Sequence, residues 1–165
     1  MKEAGTIRVL GIDPGSHVTG YGVVENAAGG LRCVLHGEIK PVRGASLAVC
    51  LQTIFDGIRE VIRRTTPEAM AIENIFYGKN IRSLIKQGHV RGVAVLAGAE
   101  GGLPVYEYSP LEIKKAVVGY GRAEKGQVQM MVRAILKLPE LPPPDAADAL
   151  AVAICHSHFR KTDPV

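Results

Sequence analysis

The sequence has no apolar run near the roughly 20 residues that a membrane-spanning helix needs, so a soluble protein with no membrane partner is expected. Its start, Met1-Lys2-Glu3-Ala4-Gly5-Thr6, contains an acid and leads into a short strand rather than a signal h-region, which points to the cytoplasm and away from secretion. Cysteine is sparse. Cys33, Cys50 and Cys155 are odd in number, widely spaced and set among apolar residues, which speaks against a disulfide framework or a zinc site and for reduced core thiols. There is no internal repeat. What is present is ordinary globular composition, 47% hydrophobic and 22% charged, in 165 residues. That length suits one domain over residues 1–158, with residues 159–165 expected to fray.

Charge is unevenly placed. The formal net charge is +4, yet Lys79 to Lys137 holds ten Lys/Arg against four acids, so the rest of the chain is slightly acidic. A basic half beside a carboxylate-rich one suggests a polyanionic substrate such as nucleic acid, although a solvated basic surface would look the same in composition.

Along the chain, Ile7 to Asp13 reads as a strand closed by the Pro14-Gly15 turn, which leaves Asp13 at the carboxyl end of a buried strand. Open α/β sheets keep their active sites at that end, but an Asp-Pro-Gly turn is also common with no function attached. Gly20–Glu25 and Leu31–Ile39 extend an antiparallel meander. Leu47, Leu51, Ile54, Phe55, Ile58, Val61 and Ile62 have helical spacing, and Ala69-Met70-Ala71-Ile72-Glu73 returns as a strand that also ends in a carboxylate. A crossover helix makes that strand parallel to the first, which brings Asp13 and Glu73 to one end of the sheet.

Residues 80–99 form a helix whose expected buried stripe is Ile81, Leu84, Ile85, Gly88, Gly92, Val95, Leu96 and Ala99. Its two glycines imply close approach of another helix, in the same chain or in a second subunit. Val105–Tyr108 is a short strand, and Ser109-Pro110-Leu111-Glu112 is a capping box with proline at the first helical position. Ala123–Lys137 is a helix expected to bury Val128, Met131 as core filler, Val132, Ile135 and Leu136. The last helix opens at Pro144, with Asp145 and Asp148 three residues apart on one face. Capping and the helix dipole explain Asp145 well. Asp148 is aimed into an alanine-rich, packed helix and needs a cation. His156 reads as a satisfied core histidine.

Asp13, Glu73, Asp145 and Asp148 thus come from two strand ends and one helix start. If they converge, their mutual repulsion calls for metal ions, and oxygen-only ligands suit Mg²⁺ or Mn²⁺. Two such ions about 3.5–4 Å apart can activate a water and stabilise a leaving 3′ oxygen in phosphodiester hydrolysis. The strand–strand–strand–helix–strand–helix–strand–helix order is the ribonuclease H-like plan, an α/β fold with a five-stranded mixed sheet flanked by helices.

Gly11-Ile12-Asp13-Pro14-Gly15 with Thr19-Gly20-Tyr21-Gly22, Ile72-Glu73-Asn74-Ile75-Phe76-Tyr77-Gly78-Lys79-Asn80, Val117-Val118-Gly119 with Ala123-Glu124-Lys125, and Asp145-Ala146-Ala147-Asp148-Ala149-Leu150-Ala151 through His156 together resemble the RuvC family of bacterial Holliday-junction resolvases. The resemblance covers nearly the whole chain. It implies a homodimer that nicks two strands of a four-way DNA junction symmetrically, with Mg²⁺ or Mn²⁺, in concert with a branch-migration motor. It places Asp13, Glu73, Asp145 and Asp148 on the family's acidic tetrad, although some members have histidine at the position of Asp145. Phe76 falls on an aromatic that stacks against an unpaired base, and Lys114 and Lys125 on lysines near the substrate phosphates. Lys79, Arg82, Lys86, Lys115 and Arg122 are expected backbone contacts with weaker support.

Three other readings compete. One is a related nuclease acting on RNA or non-junction DNA, and another is an actin-like ATPase sharing the first phosphate loop, which needs a second lobe. The third is a junction-binding dimer without catalysis, which four intact carboxylates argue against.

Overall fold

The computed structural model describes residues 6–75 and 80–165, except for the side chain of Lys125. Five strands form one mixed sheet: β1 (Ile7–Asp13), β2 (Thr19–Ala27), β3 (Gly30–Ile39), β4 (Ala69–Glu73) and β5 (Val105–Tyr108). Their order is β3-β2-β1-β4-β5. β1–β2 and β2–β3 are antiparallel, whereas β4 runs parallel to both β1 and β5. Five helices complete the described chain: α1 (Leu47–Thr65), α2 (Ile81–Glu100), α3 (Pro110–Val118), α4 (Lys125–Leu136) and α5 (Pro144–Phe159).

Period-two alternation sorts the sheet residues between two cores. Leu10, Ile12, Val23, Met70 and Ile72 face α1 and α2, where they pack with Ile54, Ile58, Val90 and Ala94. Val9, Val24 and Ala71 face the opposite way, toward Leu150, Ala151 and Ile154 of α5 and toward α3 and α4. Both faces are covered, so β1 and β4 read as continuous apolar runs. The same parity carries past the core. Asp13 follows Val9 and Gly11, and Glu73 follows Ala71, so both carboxylates belong to the face covered by α5.

Side-chain caps close several helix amino termini, the expected capping box of α3 among them. Ser46 caps α1 through Val49 N–H, Asn80 caps α2 through Arg82 and Ser83 N–H, and Ser109 and Glu112 form the reciprocal capping box of α3. Cys33, Cys50 and Cys155 are all free, and burial pushes the Cys155 thiol up to about 12. His156 is buried, 2.7 Å from the Tyr108 hydroxyl through Nδ1 and stacked on Tyr106.

Three expectations are corrected. α2 buries Val90, Ala94, Ala97 and Gly98, whereas Ile81, Ile85 and Leu96 of the expected stripe are 72%, 55% and 58% exposed. The helix has apolar residues on two sides, and the small ones fit against the sheet and α1. Met131 is 38% exposed rather than core filler, because Val128, Val132 and Leu136 already form the inward face of α4. Asp145 does not cap α5: Pro143 is the N-cap residue, without a side-chain cap bond, and Asp145 lies in the first turn. Residues 159–165 are exposed; within them Val165 N–H donates to Val105 O at 2.8 Å and Lys161 Nζ to Glu107 O at 2.7 Å.

Candidate active site

The site forms because α5 lies directly on β1 and β2, and glycines make that possible. A methyl group at Gly11 would overlap the Ala149 carbonyl, and one at Gly20 would overlap the Asp145 carbonyl. Gly22 leaves room for Leu150, where a Cβ would come within 2.6 Å of its side chain. The first turn of α5 is therefore seated against the end of β1. Carboxylate oxygens of Asp13, Asp145 and Asp148 lie within 4.8 Å of one another, and all three residues are half-buried. The preceding turn is pinned by buried Thr19, whose hydroxyl donates to Gly15 O at 2.8 Å and accepts from Gly15 N–H at 3.3 Å.

Glu73 stands outside that trio. Ile12 pairs with Ile72, so Asp13 and Glu73 follow as the terminal residues of neighbouring parallel strands. Glu73 and Asp148 share a hollow of about 220 Å³ with Lys114, floored by Ile113, Val128 and Ala151. Asp145 opens instead onto a second hollow of about 470 Å³, lined by Gly15, Ser16, His17, Ser83 and Lys86. The acidic trio thus sits on the divide between two depressions.

The expected cationic residues separate accordingly. Lys114 is half-buried beside Glu73 and Asp148, and Lys86 is exposed beside Asp145. Arg82, Lys115 and Arg122 are exposed and line neither hollow. Phe76 and Lys79 lie outside the described residues, as does the Lys125 side chain, although the Lys125 backbone opens α4. Sequence reasoning missed the seat provided by Gly11 and Gly20. The available signal was glycine at alternate positions of adjacent strands on the face that meets an alanine-rich helix.

Three clustered carboxylates offer only hard oxygen donors. That set suits a divalent cation taking carboxylate and water ligands, and it repels itself without one.

A family model for the crossover junction endodeoxyribonuclease RuvC matches residues 9–156. The chain belongs to the RuvC family. It is 54% identical to the RuvC of Syntrophotalea carbinolica over 152 residues, which is 92% of this chain and 94% of that relative. The Thermus thermophilus RuvC in complex with a Holliday junction substrate superposes with a TM-score of 0.89 at 35% identity, covering 96% of this chain and 99% of that one. The yeast mitochondrial resolvase Ydc2 shares the fold at a TM-score of 0.65 and 12% identity, over 90% of this chain and 77% of its own. The mixed sheet and its helices are the ribonuclease H-like resolvase fold of RuvC. Among the described residues, no helix is long and apolar enough to cross a membrane.

Proposed function

We propose that this protein is a crossover junction endodeoxyribonuclease. It binds a four-way DNA junction and hydrolyses one phosphodiester in each of two strands, leaving 5′-phosphate and 3′-hydroxyl ends, as a cytoplasmic enzyme of DNA recombination and repair. The observation that carries this reading is the meeting of Asp13, Asp145 and Asp148 at the carboxyl end of the sheet in a chain of the RuvC family.

Asp13, Asp145 and Asp148 hold divalent cations, Mg²⁺ or Mn²⁺, and Glu73 extends the donor set toward Lys114. When bound, two such ions supply positive charge to the phosphoryl oxygens and acidify water. The chain's own residues do the rest. The carboxylates would repel the scissile phosphate on their own, and by fixing where the cations would sit they set its position. The half-buried Lys114 ammonium faces the same hollow, where it offsets charge that develops as water attacks phosphorus and the bond to the 3′ oxygen breaks. Phe76, Lys79, Arg82, Lys86, Lys115, Arg122 and Lys125 serve as DNA contacts, Phe76 by stacking on an unpaired base.

A homodimer is supported by α2. Ile81, Ile85 and Leu96 point outward, and among the described residues a Cβ at Gly88 or Gly92 would meet nothing within 4 Å beyond its own helix's backbone. Pairing through that face about a two-fold axis gives two equivalent sites for two strands. The double variant Ile85→Glu/Leu96→Glu should run as a monomer in light scattering and lose paired nicking; a variant that stays dimeric removes α2 from the interface.

The decisive test incubates the protein with a synthetic four-way junction, the matched duplex and an RNA–DNA hybrid, with Mg²⁺ or with EDTA. Metal-dependent paired nicks in the junction alone support the resolvase. Equal cutting of duplex or hybrid makes it a general nuclease, and tight junction binding with no cutting leaves only a binding protein.

A further inference from the structure

The basic half of the chain, Lys79–Lys137, leaves out two cations that the fold brings to the acidic site from elsewhere. The Asp145 hollow continues into a third, of about 570 Å³, through three shared residues, Ser16, His17 and Lys86. This extension is bounded by the segment after β3, where Lys40 and Arg43 join the lining. His17, Lys40, Arg43 and Lys86 are all exposed, and among the described residues no acidic one lines the extension.

The segment is pre-shaped. Ala45 N–H donates to Val42 O at 3.1 Å, and Gly44 takes φ +80°, closing a tight turn that carries Arg43. At the root of the segment, Lys40 Nζ rests 2.9 Å from Glu38 Oε2, and the Asp145 charge also acts on it. The Lys40 side chain is 63% exposed even in this pair, which leaves its ammonium within reach of a phosphate. Thr19 holds the facing turn that presents His17.

Resting on the junction-nuclease reading above, we infer that this groove is the path of the phosphodiester backbone on the Asp145 side of the cut. His17, Lys40 and Arg43 are its phosphate-positioning residues, with Lys86 at the junction of the two hollows. The carboxylate trio sits between the Lys114 hollow and this groove, so a strand reaching its scissile phosphate must continue into one from the other. A chain of like charges would be repelled along an acidic rim. The groove beside Asp145 instead supplies three cationic side chains and an imidazole donor in succession.

The test measures binding of a synthetic four-way junction, a linear duplex and a single strand in EDTA, across a range of NaCl concentrations. Removing one phosphate-binding cation lowers the slope of log affinity against log salt by about 0.9 on duplex DNA. Lys40→Ala/Arg43→Ala should therefore flatten the slope by about 1 to 2 and weaken junction binding about 5- to 20-fold at moderate salt. The charge-preserving Lys40→Arg/Arg43→Lys should restore the slope, and Arg64→Ala on α1 should leave it unchanged. An unaltered slope in the alanine double variant, with the junction still bound and cut by the unmodified protein, overturns the groove and spares the resolvase. A flattened slope in a protein that binds only duplex or single strand supports the groove and overturns the resolvase. A protein that binds no nucleic acid overturns both.

Discussion

Strand β1 carries charge at both ends, and the two ends are built on opposite principles. At its amino end, Arg8 Nε donates to Glu25 Oε2 and Arg32 Nε to Glu25 Oε1, each at 2.5 Å, while Arg8 Nη1 donates to Thr65 O at 2.9 Å. Glu25 is only 1% exposed. Burial would raise its pKa, but the hydrogen bonds and charges of Arg8 and Arg32 hold it below the ordinary carboxylate value. At the carboxyl end, Asp13 meets two further carboxylates. One carboxylate is held between two guanidinium groups and strengthens the fold, whereas three brought within 4.8 Å of one another form an oxygen donor set that a cation can bind.

The same chemical change, loss of one negative charge, should therefore do opposite things at the two ends. Asp13→Asn should reduce junction cutting at least about 10³-fold while changing unfolding free energy in EDTA by less than about 1 kcal/mol, because it relieves a like-charge cluster. Glu25→Gln should cost about 3 kcal/mol in chemical denaturation, since it leaves the largely buried Arg8 guanidinium without its counter-charge, yet retain cutting at temperatures where it is folded. Equal stability losses in the two variants would break the contrast.

A third buried polar group tests it by pH. Burial, then the Arg160 charge, pushes His156 down to about 4. The unfolded chain takes up this proton near pH 6.5 and the folded chain only near 4, so the unfolded state binds more protons in between. Stability should fall as pH drops from about 6.5 to 4, by about 2–3 kcal/mol, in urea titrations at stepped pH. His156→Gln should flatten that interval. The contribution of Glu25 has the other window: its folded pKa is lowered, so its stabilisation is complete above the ordinary carboxylate pKa and is lost only below it, as pH falls toward the folded value.

Gly20→Ala probes the seat of the acidic end. The added methyl would lie 1.9 Å from the Asp145 carbonyl oxygen, so α5 must shift by about 1 Å, which should cost about 3 kcal/mol of stability and about 10²-fold in cutting. A variant losing stability without losing cutting would show that the trio tolerates the shift.

These cases explain what the sequence could and could not show. The strands ending in Asp13 and Glu73, the crossover that makes them parallel and the capped helices are written in short-range patterns of apolar spacing, turn residues and cap residues. The outward face of α2 was not legible, because apolar residues lie on both sides of that helix and only tertiary packing chooses between them. Nor was the groove: Lys40 and Arg43 are far in sequence from the basic stretch that begins at Lys79, and only the turn after β3 brings them beside Asp145. Glu25 looked like an ordinary strand-end acid until Arg8 and Arg32 closed on it from neighbouring strands.

The smallest expected effect asks how much an ion pair contributes when water can reach it. Lys161 Nζ lies 3.1 Å from Glu112 Oε1, donates to Glu107 O at 2.7 Å and sits 4.6 Å from the centre of the Tyr108 ring. It therefore holds the terminal segment against the outer strand, β5, by an ion pair, a hydrogen bond and an aromatic face. Unlike the Glu25 cluster, both charged partners are substantially solvated, so Coulomb attraction is screened and ordering the lysine side chain costs entropy. Lys161→Ala should lower stability by no more than about 1 kcal/mol, while amide exchange should accelerate at Val165, whose N–H bonds to the Val105 carbonyl. A loss near that of Glu25→Gln would mean that burial is not what separates the two ion pairs, and the account of the amino end of β1 would fall with it.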